Sequence, residues 1–147
     1  MWYGMASIIH SLFHSQKERS NMNDSRAVEI LAQAGAVLSS GHFVYTSGDH
    51  GSGYVNKDRV YQNAVATDEL CWRLAERFKD REFAIDVVAG AEKGGIILAH
   101  ATARHFSQFF GRHRREVLMA YAEKTKAGDF EFRRGFDECI AGKRVLI

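Results

Sequence analysis

The sequence predicts an α/β fold in which a parallel sheet is flanked by helices. The run Ile85-Asp86-Val87-Val88-Ala89 is almost continuously apolar and passes into Gly90-Ala91-Glu92-Lys93-Gly94-Gly95, then into Ile96-Ile97-Leu98-Ala99. That succession reads as strand, glycine loop and helix start. Val117 to Ala122 and Lys143 to Ile147 supply two further apolar strands, each set apart by helical or polar sequence. Strands buried on both faces read as such near-continuous runs, and helices alternating with them make the crossovers of a parallel sheet.

The elements follow in chain order. Met1 to Phe13 is mildly apolar, but no Lys or Arg precedes its apolar run, and Gly4, Ser7, His10 and Ser11 interrupt it. It is a poor signal peptide and too short to span a membrane. Polar Ser15 to Asp24 reads as a linker, and Met22-Asn23-Asp24-Ser25 resembles a fresh chain start with helix-capping residues. Residues 1–24 are therefore expected to be a weakly ordered extension. Ala27, Val28, Ile30, Leu31 and Ala34 have helical spacing, with Gly35 as the stop. Phe43 and Tyr45 lead through a glycine-rich connection, Ser47 to Gly53, into Tyr54-Val55-Asn56-Lys57, so two extended segments and a hairpin-like lobe are expected within residues 25–62. The core is expected over 63–147. There Thr67 or Asp68 caps a helix through Leu70, Cys71, Leu74, Ala75 and Phe78, and the helix after the glycine loop runs to about Phe110. Glu123 to Asp129 reads as a polar loop, with Phe130 to Arg133 as its return arm.

At 147 residues and 46% hydrophobic, the chain can bury one core of ordinary domain size. A net charge of +2 creates no large field, so neither nucleic acid nor a membrane surface is an expected partner. Cys71 and Cys139 lie far apart in no paired motif, which suits a reducing compartment and makes the cytoplasm the expected location. Proline is absent, so turns rest on Gly, Asn, Asp and Ser.

Chemistry concentrates at the glycine loop. Glycines let backbone amides approach a ligand, and the first turn of a helix carries positive partial charge, so a phosphate or pyrophosphate suits Lys93, Gly94 and Gly95. The competing reading is a tight strand-to-helix turn with one solvated lysine. His10 and His14 have i, i+4 spacing but no third ligand, and no metal-ligating set is assigned. His100 and His105 have no nucleophile beside them and read as surface or satisfied histidines. Arg112-His113-Arg114-Arg115 reads as a solvated connection, and Asp137-Glu138 as a helix or turn cap.

From about Ile30 to Ile147 the chain resembles the orotate phosphoribosyltransferases. The most specific stretches are Gly41-His42-Phe43-Val44-Tyr45-Thr46-Ser47-Gly48 and Tyr54-Val55-Asn56-Lys57-Asp58, which resemble the family's N-terminal hood and orotate-contacting segment. The glycine loop stands where the family keeps its pyrophosphate loop. Tyr121-Ala122-Glu123-Lys124 leads into what resembles the mobile catalytic loop. The resemblance implies an incomplete phosphoribosyltransferase-type sheet with a hood lobe. It implies transfer of ribose 5-phosphate from phosphoribosyl pyrophosphate to orotate, with Mg2+ present and a homodimer as partner state. Tyr54 and Val55 would then line the orotate, and Lys93, Gly94 and Gly95 would hold pyrophosphate. Lys124 would be catalytic, on a loop loosened by Gly128, with Glu123 and Lys126 at the substrate beside it.

Departures accompany these matches. Ala91 stands where many relatives have proline, and Lys93 lies one place earlier than their loop lysine. Thr46 replaces a phosphate-contacting lysine of some relatives, and Glu123 lies near an arginine position, where a carboxylate would repel phosphate. The family's acidic pair and Thr/Gly loop for the ribose 5-phosphate would follow the strand ending at Ile147. Alignment of reactants is worth roughly 7 to 11 kcal/mol when complete, so the resemblance implies a fragment with negligible activity of its own. The last strand is expected to be prone to pairing with another chain. Another purine or uracil phosphoribosyltransferase, or a non-catalytic phosphate- or nucleotide-binding module, is the alternative.

Overall fold

The structure is a computed structural model and describes residues 22–78, 85–109 and 116–147. The expectations for residues 1–21 of the N-terminal extension, for His10 and His14 and for the basic cluster 112–115 lie outside the described residues, whereas residues 22–24, expected in the weakly ordered extension, form the start of a helix. The chain divides into two compact units, one ending at Leu70 and the other resuming at Cys71.

The first unit opens with helix α1, Met22–Gln33. Its Ile30 packs with Ala36 and Val60 in a small core that Leu31, Ala34, Ala66 and Leu70 extend. The helix stops as its sequence predicts. The Ala36 amide donates to Leu31 O and the Gly35 amide to Ala32 O, both at 2.9 Å, with Gly35 at φ 61°. This is a Schellman closure, which needs the left-handed residue that glycine supplies. Arg26 braces α1, its Nε and Nη2 donating to the two carboxylate oxygens of Glu69 at 3.0 and 3.2 Å.

Two expected extended segments prove to be four short strands: β1 Val37–Leu38, β2 Phe43–Val44, β3 His50–Gly51 and β4 Tyr54–Val55. Phe43 pairs with Gly51 and Val44 with His50, whereas Leu38 pairs with Tyr54 and Val37 with Val55, all antiparallel. Phe43–Val44 therefore does not pair with Tyr54–Val55. A turn intervenes, in which the Tyr45 amide donates to Asp49 O at 2.8 Å and the Gly48 amide to Tyr45 O at 2.9 Å. Asn56 then caps helix α2, Lys57–Tyr61, so Lys57 belongs to a helix and not to the preceding strand. Helix α3, Ala64–Arg77, begins earlier than Thr67 or Asp68 because Asn63 Oδ1 accepts from the Ala66 amide at 3.1 Å. Thr67 lies inside the helix, where its buried hydroxyl reaches Asn63 O and Val60 O.

The second unit is built on a four-stranded sheet of order β7-β6-β5-β8. Its elements are β5 Val87–Ala91, helix α4 Gly94–Phe109, β6 Leu118–Lys124, β7 Phe130–Phe132, helix α5 Phe136–Ile140 and β8 Val145–Leu146. Strand β5 runs parallel to β6 and β8, and β7 adds an antiparallel edge on β6. The predicted α/β class and parallel sheet are thus present. Alternation along β5 sends Val88 to one face, with Ala75, Ala99, Ala103 and Phe106, and Val87 and Ala89 to the other, with Ala120, Phe132, Phe136 and Ile140.

Boundaries moved for identifiable reasons. Strand β5 starts two residues after Ile85, and the preceding Asp86 accepts from the Arg144 amide at 3.0 Å, from Nε at 2.9 Å and from Nη2 at 3.2 Å. This clamp fixes the approach to β8. Glu123 and Lys124, expected in a loop, continue β6 because they pair with Glu131 and Phe130 of β7. Asp137 and Glu138 fall in the first turn of α5, where acidic residues oppose the positive helix end. Val145 and Leu146 are half-buried and Ile147 is exposed.

Candidate functional site

The junction between β5 and α4 explains its glycines by packing. A Cβ on Gly90 would fall 2.6 Å from the carbonyl carbon of Gly95, and one on Gly95 would lie 3.0 Å from Gly90 Cα. The strand end and the first helical turn therefore interlock backbone to backbone. Gly94 and Gly95 open a 16-residue helix, so the positive end of α4 coincides with the end of a parallel strand. In open α/β sheets, ligands gather at the carboxyl ends of strands, and helix N-termini accept anions there. Lys93, exposed, directly precedes the helix, and the Glu92–Lys93 peptide is cis.

The neighbouring strand brings the second group of predicted residues to this end of the sheet. Strands β5 and β6 are in register through Ala91 and Ala122. One step further, the Glu92 amide donates to Ala122 O at 2.8 Å, and Glu92 Oε1 accepts from the Lys124 amide at 2.7 Å. The Lys124 side chain is exposed at the last position of β6. Lys126 is exposed in the turn that follows, where the Thr125 amide donates to Asp129 O at 2.8 Å and the Gly128 amide to Thr125 O at 3.0 Å. The segment that resembles a mobile loop is thus a hydrogen-bonded hairpin turn here.

Glu123 stands directly across the ladder from Glu131, a like-charge pairing that opposes the hairpin. Two arginines offset it. Arg134 Nε is paired with Glu123 Oε1, and Arg133 donates to Glu131 Oε2 through Nε at 2.9 Å and Nη2 at 2.8 Å. The hydrogen bond to Glu123 raises the Arg134 guanidinium above its ordinary range, and Glu131 does the same for Arg133. Both arginines keep their charge throughout the neutral range. Glu123 therefore stands as one half of an ion pair, its carboxylate charge offset by Arg134.

Tyr54 and Val55 belong to the first unit. The Tyr54 ring is part-exposed and stacks on Phe43, with centroids 5.9 Å apart, while Val55 is half-buried beside Val37. His100 is exposed on α4 and His105 buried, its Nε2 lying 3.4 Å from Arg104 Nη2. Sequence reasoning missed Glu92 and Arg134. Arg134 has a legible signal, since it follows a strand whose partner carries a glutamate next to its end, whereas the Glu92 bond to Lys124 spans 32 residues and leaves none.

No family model matches the sequence. Among curated proteins, the orotate phosphoribosyltransferase of Bartonella henselae is 37% identical over 127 residues, covering 86% of this chain and 59% of that protein. The enzyme of the same name from Bartonella quintana is 41% identical over the same length and the same shares. The chain therefore spans 59% of the length of these curated relatives. Among solved structures, the UMP synthase of Leishmania donovani superposes with a TM-score of 0.50 at 15% identity, over 82% of this chain and 29% of that one. At that identity the likeness concerns the fold alone. With the glycine junction and parallel sheet in place, the chain is similar over 127 residues to proteins named orotate phosphoribosyltransferase.

Proposed function

We propose that the chain supplies the base-facing and pyrophosphate-facing segments of an orotate phosphoribosyltransferase, which makes orotidine 5′-phosphate and pyrophosphate in pyrimidine nucleotide synthesis. The observation that carries this reading is the coincidence of the α4 N-terminus, at Gly94 and Gly95, with the Lys124 strand end that Glu92 bonds. In such a transfer the sugar carbon becomes cationic as pyrophosphate departs. The protein's tasks are to align two substrates, to neutralise the leaving phosphates and to exclude water. Gly94, Gly95 and Lys93 take the pyrophosphate, Lys124 and Lys126 reach its outer oxygens, and Glu123 with its arginine partner borders them. Tyr54 offers a ring face and Val55 an apolar edge to orotate.

Magnesium is the cation expected with such a substrate. Among the described residues, no group of three or more His, Cys, Asp or Glu side chains could hold a metal ion. Magnesium would be carried by the substrate's own phosphates, and no step is routed through it. A homodimer in the cytoplasm is part of the same proposal. Among the described residues, no helix is long and apolar enough to cross a membrane.

The test compares the 147-residue chain with the longest product of its coding sequence. Pyrophosphate and orotate are expected to bind the former stoichiometrically without turnover. The latter is expected to consume orotate in the presence of phosphoribosyl pyrophosphate. Lys124→Ala in the longer product should lower turnover by about 10²- to 10³-fold with unchanged thermal stability. A longest product that binds phosphate and leaves orotate untouched would replace the enzyme reading with that of a binding module.

A further inference from the structure

We infer that Glu92 is a positioning residue that ties the glycine loop to the strand end bearing Lys124, so that an anion bound at Gly94 and Gly95 is felt at Lys124. The second half rests on the pyrophosphate reading above, and the first half does not.

The parallel ladder of β5 and β6 ends in register at Ala91 and Ala122. In a parallel ladder, one residue donates its N–H to the opposite strand and offers its C=O to the N–H two residues further along that strand. The Glu92 amide keeps the first half of this pattern, donating to Ala122 O at 2.8 Å. The second half falls to its side chain, since Oε1 accepts the Lys124 amide at 2.7 Å. The carboxylate thus takes the place that the Glu92 carbonyl would hold in a continued strand, while the main chain leaves the sheet for Lys93 and the start of α4. One side chain both ends β5 and extends the hold on β6 to Lys124.

The chemistry of this position is specific. An anion at the first turn of α4 lies one and two residues from Lys93, whose amide adjoins Glu92, and a shift of that segment is carried to Lys124 through a charge-assisted hydrogen bond. A carboxylate so near a phosphate site also carries a like charge. What matters for positioning is its acceptor oxygen, which Gln retains and Ala lacks.

The experiment uses the 15N-labelled 147-residue chain, inorganic pyrophosphate and the variants Glu92→Ala and Glu92→Gln, with folding checked by circular dichroism. In the free protein, hydrogen exchange at the Lys124 amide is expected to be about tenfold faster in Glu92→Ala and within about threefold of the parent in Glu92→Gln, given the usual worth of such a bond. On titration, the Gly94, Gly95 and Lys124 amides of the parent and of Glu92→Gln should shift with one midpoint. In Glu92→Ala, Gly94 and Gly95 should still shift and Lys124 should not. Unchanged Lys124 exchange in Glu92→Ala, or Glu92→Gln exchanging as fast as Glu92→Ala, overturns the tether. Lys124 following the glycines in Glu92→Ala overturns the coupling. If pyrophosphate moves neither Gly94 nor Gly95 in the parent, the pyrophosphate reading and the coupling both fall, and the exchange rates alone decide the tether.

Discussion

Two glycine-rich stretches, Gly90 to Gly95 in the second unit and Gly48 to Gly53 in the first, look alike as sequence and differ in what demands the glycine. At Gly90 the neighbour of a missing side chain is backbone, the Gly95 carbonyl, in a buried junction that has no slack. At Gly51 it is the far end of the Tyr45 ring, 2.7 Å from where a Cβ would place it, in an exposed ladder. At Gly48 nothing of the described structure lies within 4 Å, and the demand comes from a φ of 86°. The same residue type therefore reports close packing, a movable ring or a left-handed turn, and only the first bears on a ligand site.

Substitution to alanine ranks these demands. Gly90→Ala is expected to cost roughly 3 kcal/mol, because the new Cβ runs into the Gly95 backbone at a buried junction. Urea unfolding of the sheet should move by the corresponding midpoint, and a loss under about 1 kcal/mol would erase the contrast. Gly51→Ala should cost about 1.5 kcal/mol by displacing Tyr45 from its hydrogen bond to Gly53 O, visible as a changed tyrosine signal in near-ultraviolet circular dichroism. A cost equal to that of Gly90→Ala would mean that the exposed ladder is as tightly locked as the buried junction. Gly48→Ala should cost about 1 kcal/mol, the penalty of a left-handed alanine, with the tyrosine signal unaltered.

How far the sequence could be read follows from the range of the interactions. The β5–α4 junction was legible because an apolar run, a glycine loop and a second apolar run are contiguous. The Gly35 stop was legible because helix closure is local. The four strands of the first unit were not, since ladders of two residues carry no periodicity and their pairing depends on where the Tyr45–Asp49 turn closes. Asn63 caps the helix in place of Thr67 or Asp68 because its amide oxygen reaches the Ala66 amide of the first turn. Glu123 and Lys124 read as loop because they are charged. Their place in β6 depends on Glu131, Arg133 and Arg134, which lie beyond the turn. Of the candidate site, the glycines and Lys124 were visible as motif, whereas Glu92 acts through a bond that no local pattern encodes.

The Asp86–Arg144 clamp has a kinetic consequence. It joins residues 58 apart, and the β5–β8 pairing beside it has the same long reach, whereas the β6–β7 hairpin closes across one short turn. Loop closure over a long segment costs entropy before any contact rewards it, and parallel pairings are slow for that reason. The hairpin with Lys124 at its base is then expected to form early, on the microsecond scale of isolated hairpins, and β8 to dock last. Interactions made after the rate-limiting step govern how fast a protein comes apart and not how fast it assembles. The clamp is accordingly a brake on unfolding, set on the last strand of the sheet to arrive.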